Sequence, residues 1–199
     1  MPGGWTTCNL GAACTEDGMY RGFVPVIGSR TRRRTSEKCR QTMELEIRPI
    51  RDPEIPLLED FLYEAIWQPA GTPPLPREVI RTPALYAYVE AFGQRKGDCC
   101  LVAETGGRVV GAVWCRRMYG FGWVEVSVPE MAVALMPAYR GLGIGTRLLK
   151  ALFDELRRRG VRSVSLSVQR ANPAVRLYLR LGFREVAGSA EEVVMRCGW

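Results

Sequence analysis

The residues best suited to chemistry gather in Arg140-Gly141-Leu142-Gly143-Ile144-Gly145-Thr146. Three glycines alternate there, directly after an apolar run at 131–136 that Pro137 closes. Such a run suits a buried strand, and proline ends it because proline cannot donate to a sheet ladder. Glycine takes positive φ and lets a backbone approach a ligand closely. A helix-like run follows at 146–159, and the amides that open a helix lack internal partners and favour an anion. Arg140 adds a fork of donors that suits phosphate oxygens. The pattern predicts a phosphate cradle made by Arg140, Gly141, Leu142, Gly143, Ile144, Gly145 and Thr146. Two common cradles are excluded by spacing. A Walker A loop needs Gly-Lys-Ser/Thr, and here Thr146-Arg147 follows Gly145. A dinucleotide fingerprint needs a third glycine where Thr146 stands.

A second stretch carries a tyrosine and an asparagine, in Asn172-Pro173-Ala174-Val175-Arg176-Leu177-Tyr178-Leu179-Arg180-Leu181-Gly182-Phe183. With the glycine loop it resembles the GNAT superfamily, the acetyl-CoA-dependent N-acetyltransferases, over residues 43–197. The resemblance implies an α/β fold: a mixed, mostly antiparallel sheet flanked by helices. It also implies a splay between the strand 130–136 and the strand 162–169, with the coenzyme arm in the gap. Val133, Ala134 and Leu135 then supply backbone groups to that arm, and a backbone amide there can polarise the thioester carbonyl. Tyr178 becomes the general acid that protonates the leaving sulfur. Its helical neighbours Ala174, Leu177 and Leu181 share its face, so packing alone also explains it. Asn172 either caps its helix or bonds the coenzyme arm.

The general base is where the sequence departs from some relatives. Certain family members carry a glutamate where this chain has Ser167. The chain has no histidine, which removes the commonest base and any Ser-His or Cys-His pair. Glu125 and Glu130 are the available carboxylates on the expected side. The resemblance implies acetyl transfer to a primary amine by direct attack. The acceptor is an amine-bearing small molecule or a protein amine, and a homodimer is a compatible assembly. The alternative is a silent module of the same fold that binds and senses acetyl-CoA.

The elements that must hold these residues follow from periodicity. Residues 44–49 alternate as a first strand. Asp52 and Pro53 suit the cap and first position of a helix. A proline-rich loop at 68–76 precedes a second helix at 77–92, and Trp67 with this loop is expected to shape the acceptor pocket. Residues 99–104 and 108–118 read as a hairpin around Gly106-Gly107. Residues 123–128 read as a further strand before the one at 131–136. The helix 146–159 sets Leu148, Leu149, Leu152, Phe153 and Leu156 on one face. A strand at 162–169, a helix from Asn172 to Leu181 and strands at 183–187 and 193–197 complete a β-α-α-β-β-β-α-β-α-β-β chain.

Composition sets the bounds. In 199 residues, 47% are hydrophobic and 25% charged, as in a globular protein. Residues 1–42 hold seven Lys/Arg against three Asp/Glu, net +4, which leaves net +3 of the total +7 for 43–199. The first segment lacks period and reads as a basic, disordered extension before an N-acetyltransferase domain at 43–199. It lacks the apolar core of a secretory signal, and Met43 is a plausible natural start. A mildly basic body suits a phosphate-bearing cofactor and does not suggest specific nucleic acid or membrane. Seven cysteines without a C-x-x-C pair suggest reduced thiols, a cytoplasmic setting and no metal.

Overall fold

A single twisted sheet carries every later feature of the site. The computed structural model describes residues 44–199, so the expected extension lies outside the described residues. The strands are β1 (Glu46–Pro49), β2 (Cys99–Thr105), β3 (Arg108–Arg116), β4 (Glu130–Leu135), β5 (Ser163–Gln169), β6 (Arg184–Gly188) and β7 (Glu192–Gly198). Their order is β1-β2-β3-β4-β5-β7-β6. All neighbours are antiparallel except β4 and β5, which are parallel and share one register pair, Glu130 with Ser165. The mixed sheet and its parting at β4 and β5 agree with expectation.

Alternation along the strands gives the sheet two apolar faces. One face sends Leu101, Val113, Met131, Leu166 and Met195 against α3 (Ile144–Arg158) and α4 (Val175–Arg180). The other sends Val102, Ala112, Trp114 and Ala134 against α1 (Leu57–Ala65) and the segment around Tyr88 and Phe92. The expected stripe of α3 is buried as a unit: Leu148, Leu149 and Leu152 are fully enclosed. Gly160 stops the run at φ +74.

Three expected elements differ. The helix expected from Asp52 is a tight turn, Asp52–Glu54, and α1 begins only at Leu57. Pro56 has no amide to continue a ladder and serves as the start of the next helix. The helix expected over 77–92 is split into a 3-10 turn, Arg77–Arg81, and a short α2, Pro83–Tyr86. Thr82 is extended at ψ 138, as a residue before proline prefers. The strand expected over 123–128 is a loop closed by turns such as Val128 N–H to Glu125 C=O. β3 pairs β2 on one side and β4 on the other, so no sheet edge is left for it.

At the end of β3, Arg116 is paired with Asp98 at 2.7 Å, the two side chains only 1% and 3% exposed. Arg116 also donates to the carbonyls of Ala87 and Glu90. Its removal leaves a buried carboxylate unpaired. Arg116→Met is expected to cost about 3–5 kcal/mol in urea unfolding, and Arg116→Met with Asp98→Leu to recover part of that. A loss under 1 kcal/mol in the single variant would contradict this role.

Candidate active site

The site begins where β4 and β5 part. Met136 N–H bonds Val110 C=O, which fixes the parity of β4. Even-numbered residues bond β3; Val133 and Leu135 turn their amides and carbonyls toward β5. Beyond Glu130 and Ser165 no register pair receives them. Leu135 C=O accepts from Arg140 Nε at 3.1 Å. Val133 therefore offers the free backbone pair in the gap, whereas Ala134, expected beside it, spends its backbone on β3.

At the end of β4 the chain turns through Pro137–Tyr139 into the glycine loop. Gly141 and Gly143 have φ +75 and +78, and nothing lies within 4 Å of where a Cβ would stand on either. Gly143 stands just before α3 at its N-cap, so the amides of Ile144, Gly145 and Thr146 open a 15-residue helix. Leu142 and both of these glycines are exposed, Ile144 is buried, and Gly145 and Thr146 are half-buried. The conformation, the open space and the free amides all fit a phosphate chain. Arg140 is turned the other way: besides Leu135, it pairs with Glu64 of α1 at 2.6 Å.

A cleft of about 290 Å³ opens at the gap. Val133, Asn172 and Tyr178 line it, with Glu130, Ser167 and Glu192. Trp67 lines it too, with Leu62, Ile66, Tyr88 and Phe121 forming an apolar wall. Tyr178 enters from the α4 side, 8% exposed, its ring edge-on to Phe183 at 5.6 Å. Burial pushes its phenol up to about 12. Asn172 Oδ1 accepts from Ala174 N–H at 2.9 Å, so it shapes the turn into α4 and still faces the cleft.

The two expected carboxylates have different fates. Glu125 sits in the loop before β4, half-exposed and paired with Arg196 at 3.2 Å, away from the cleft. Glu130 is only 2% exposed. Its Oε1 accepts from Tyr88 hydroxyl and, at 2.6 Å, from Gly122 N–H. Its Oε2 has no partner among the described residues. Burial raises its pKa above the ordinary carboxylate value, against the lowering effect of those donors. The same burial, with the Glu130 charge, raises the Tyr88 phenol.

Two residues escaped the sequence. Tyr88 was read only as part of a helix. Glu192 lies on β7, and its Oε1 accepts from Ser167 hydroxyl at 2.6 Å. The carboxylate missing from position 167 thus reaches the cleft from the next strand. Alternation of β7 puts Glu192 on the polar side of Val193, and that was its only available signal. Among the described residues no cluster suits a metal ion, and no helix is long and apolar enough to cross a membrane.

A parted mixed sheet beside a glycine-opened helix defines a class that comparison identifies. The chain belongs to the acetyltransferase (GNAT) family, whose model matches residues 60–183. An N-alpha-acetyltransferase of Sulfurisphaera tokodaii is 37% identical over 110 residues, 51% of this chain and 65% of that protein. A ribosomal protein bS18-alanine N-acetyltransferase of Haemophilus influenzae is 36% identical over 95 residues, 41% of this chain and 65% of that one. The chain thus spans slightly under two thirds of each relative's length. Among solved structures, an N-acetyltransferase of Thermoplasma acidophilum in complex with coenzyme A aligns at TM-score 0.59 and 16% identity, over 79% of this chain and 100% of that one. A putative acetyltransferase of Salmonella typhimurium with its cofactor acetyl-CoA aligns at TM-score 0.58 and 24% identity, over 77% and 93%. At these identities the likeness is one of fold.

The glycine loop makes a direct prediction. Gly143→Val places a branched side chain at positive φ, a strain of about 1–3 kcal/mol, and fills the open space over the helix amides. Calorimetry is expected to show acetyl-CoA affinity lowered by at least about tenfold, beyond what the accompanying stability loss explains. Unchanged affinity would remove the cradle.

Proposed function

We propose that this chain transfers the acetyl group of acetyl-CoA to a primary amine by direct attack. The observation that carries the reading is the meeting of Glu130, Tyr178 and the free backbone of Val133 in one cleft. Bound acetyl-CoA would supply an activated acetyl thioester. The amides of Ile144, Gly145 and Thr146 would hold its phosphates, and Arg140 would join them by leaving Glu64. Val133 offers backbone hydrogen bonds in the gap, and its amide can donate to an oxygen on which charge grows. A cytoplasmic setting, where thiols stay reduced, fits the buried free cysteines Cys99, Cys100, Cys115 and Cys197.

Glu130 takes the proton that frees the attacking nitrogen. Burial raises the Glu130 carboxyl, and a carboxyl with a raised pKa is a stronger base than an ordinary one. Tyr178 stays neutral at physiological pH and faces the departing sulfur as a donor. Against an unperturbed thiol near 8.5, a phenol at about 12 gives its proton uphill by roughly 5 kcal/mol. The burial that raises the phenol raises a thiolate beside it as well, so the true gap is smaller.

Free-thiol release from acetyl-CoA, measured with peptides bearing a free N-terminus, lysine peptides and small amines, tests the reading. Amine-dependent release supports it. Tight acetyl-CoA binding without release for any acceptor would favour the silent sensing module. Two variants refine it. Tyr178→Phe is expected to lower kcat about 100-fold while sparing acetyl-CoA affinity; equal turnover would reduce Tyr178 to packing. Glu130 must be ionised to act, so kcat/KM should rise with pH through a midpoint above the ordinary carboxylate range. Glu130→Gln should abolish that limb and lower kcat/KM by about 100-fold or more. A limb that survives in the variant belongs to another group.

A further inference from the structure

Glu192 has no part in the mechanism so far, yet it faces the same cleft as Glu130. We propose that Glu192, held by Ser167, receives the acceptor as an ammonium ion and delivers it to Glu130. The inference rests on the acetyl-transfer reading and specifies the acceptor's charge and the residue that binds it.

Three observations carry it. The strand parity of β5 and β7 puts Ser165, Ser167 and Glu192 on the face of the sheet that bears Glu130. Ser167 hydroxyl, at 2.6 Å, fixes Glu192 Oε1 and leaves its other oxygen for a further donor. Glu130 Oε2 is buried and without a partner among the described residues, as is Ser165 Oγ, the register partner of Glu130, so polar capacity stands unused in the cleft that Glu130 and Glu192 line. The wall facing these groups is apolar, from Leu62, Ile66, Trp67 and Leu85. No lysine or arginine is among the cleft-lining residues. Two carboxyls opposite an apolar wall, without a cation, select a positively charged amine carried on a neutral or apolar group.

The charged surroundings of Glu130 are few. Tyr88 donates to it from the segment after α2, and Gly122 from the loop before β4. Arg116, opposite on β3, is consumed by Asp98 and two carbonyls. Arg196, on the same face of β7, is spent on Glu125 and on Ser163 Oγ, and the charge of Glu192 on β7 favours the protonated form of Glu130. An ammonium between the two carboxyls offsets that repulsion. The acceptor would therefore ionise Glu130 as it binds, which makes the base ready only when its substrate is present. The proton balance closes: the ammonium gives one proton to Glu130, which passes it to water, the amine attacks, and the second proton that nitrogen loses replaces the one Tyr178 gives to the departing sulfur.

The test uses Glu192→Gln, Glu192→Asp and Ser167→Ala in the full chain. The first readout is the acceptor KM, with whichever panel amine supports thiol release. Glu192→Gln is expected to raise it about tenfold or more with the acetyl-CoA KM unchanged, the scale of one charged hydrogen bond. Glu192→Asp should recover part of the loss, and Ser167→Ala should show a smaller one. The second readout needs no acceptor: carbon-13 carboxyl NMR titration, with the Glu130 signal identified by its loss in Glu130→Gln. Glu192→Gln should move that midpoint to lower pH, and Glu192→Asp should not move it as far. An unchanged acceptor KM, or an unmoved Glu130 midpoint, would overturn the proposal. A wild-type chain inactive with every amine would instead sink the transferase reading, while the titration would still decide whether Glu192 acts on Glu130.

Discussion

The parting of β4 and β5 is the constraint on which this structure depends. Parallel strands normally pair along their length, and a buried amide without a partner costs about 1–3 kcal/mol. Here the pairing stops after Glu130 and Ser165. The gap joins the two faces of the sheet. Glu130 shares a face with Tyr88 and Trp114, whereas Tyr178 packs in the opposite core. A continuous sheet would separate Glu130 from Tyr178 by its own thickness. Parted, it lets a cleft run through, with the Val133 backbone on its rim.

What surrounds the gap is shaped to keep it. Pro137 ends β4, and the turn after it aims the glycine loop at the open end. On the other side, Gly122 lies so close to β5 that a Cβ would stand 2.5 Å from the carbonyl carbon of Leu166. Only glycine permits that approach. The same residue donates to Glu130 through its amide, so one backbone position both closes the loop onto β5 and orients the carboxyl. Arg116, at the end of β3, is buried with Asp98 and holds the segment that carries Tyr88 through the carbonyls of Ala87 and Glu90.

Local chemistry was the legible part of the sequence. The glycine loop, the α3 stripe and the strand alternation each rest on neighbours within a few residues, and they stand in the structure where expected. The parted sheet came from the family resemblance, because no periodicity distinguishes a strand that pairs from one that does not. The misread strand and the misread carboxylates share a cause. Whether 123–128 forms a strand depends on whether an edge is free, and β3 had already used both of its edges. Glu125 and Glu130 looked alike as strand-end charges. Their fates, an exposed pair with Arg196 and a buried bond with Tyr88, depend on partners 71 and 42 residues away. Glu192 was hidden for the same reason: its meaning lies in the cross-strand reach to Ser167, 25 residues earlier.

Arg140 shows how this site can be prepared for a ligand at little cost. Its guanidinium rests on Leu135 C=O and on Glu64, with the two side chains 51% and 23% exposed. A pair this open to water contributes only about 0.2–1 kcal/mol. Bonds from the same fork to a phosphate are charge-assisted on both sides and stronger. An exchange of Glu64 for a phosphate would therefore favour the phosphate, while the Glu64 pair holds the side chain away from the glycines. Glu64 belongs to α1, whose Leu62 and Ala65 line the cleft, as does Ile66 just after it. A ligand that drew Arg140 from Glu64 would therefore act on the helix that also walls the cleft.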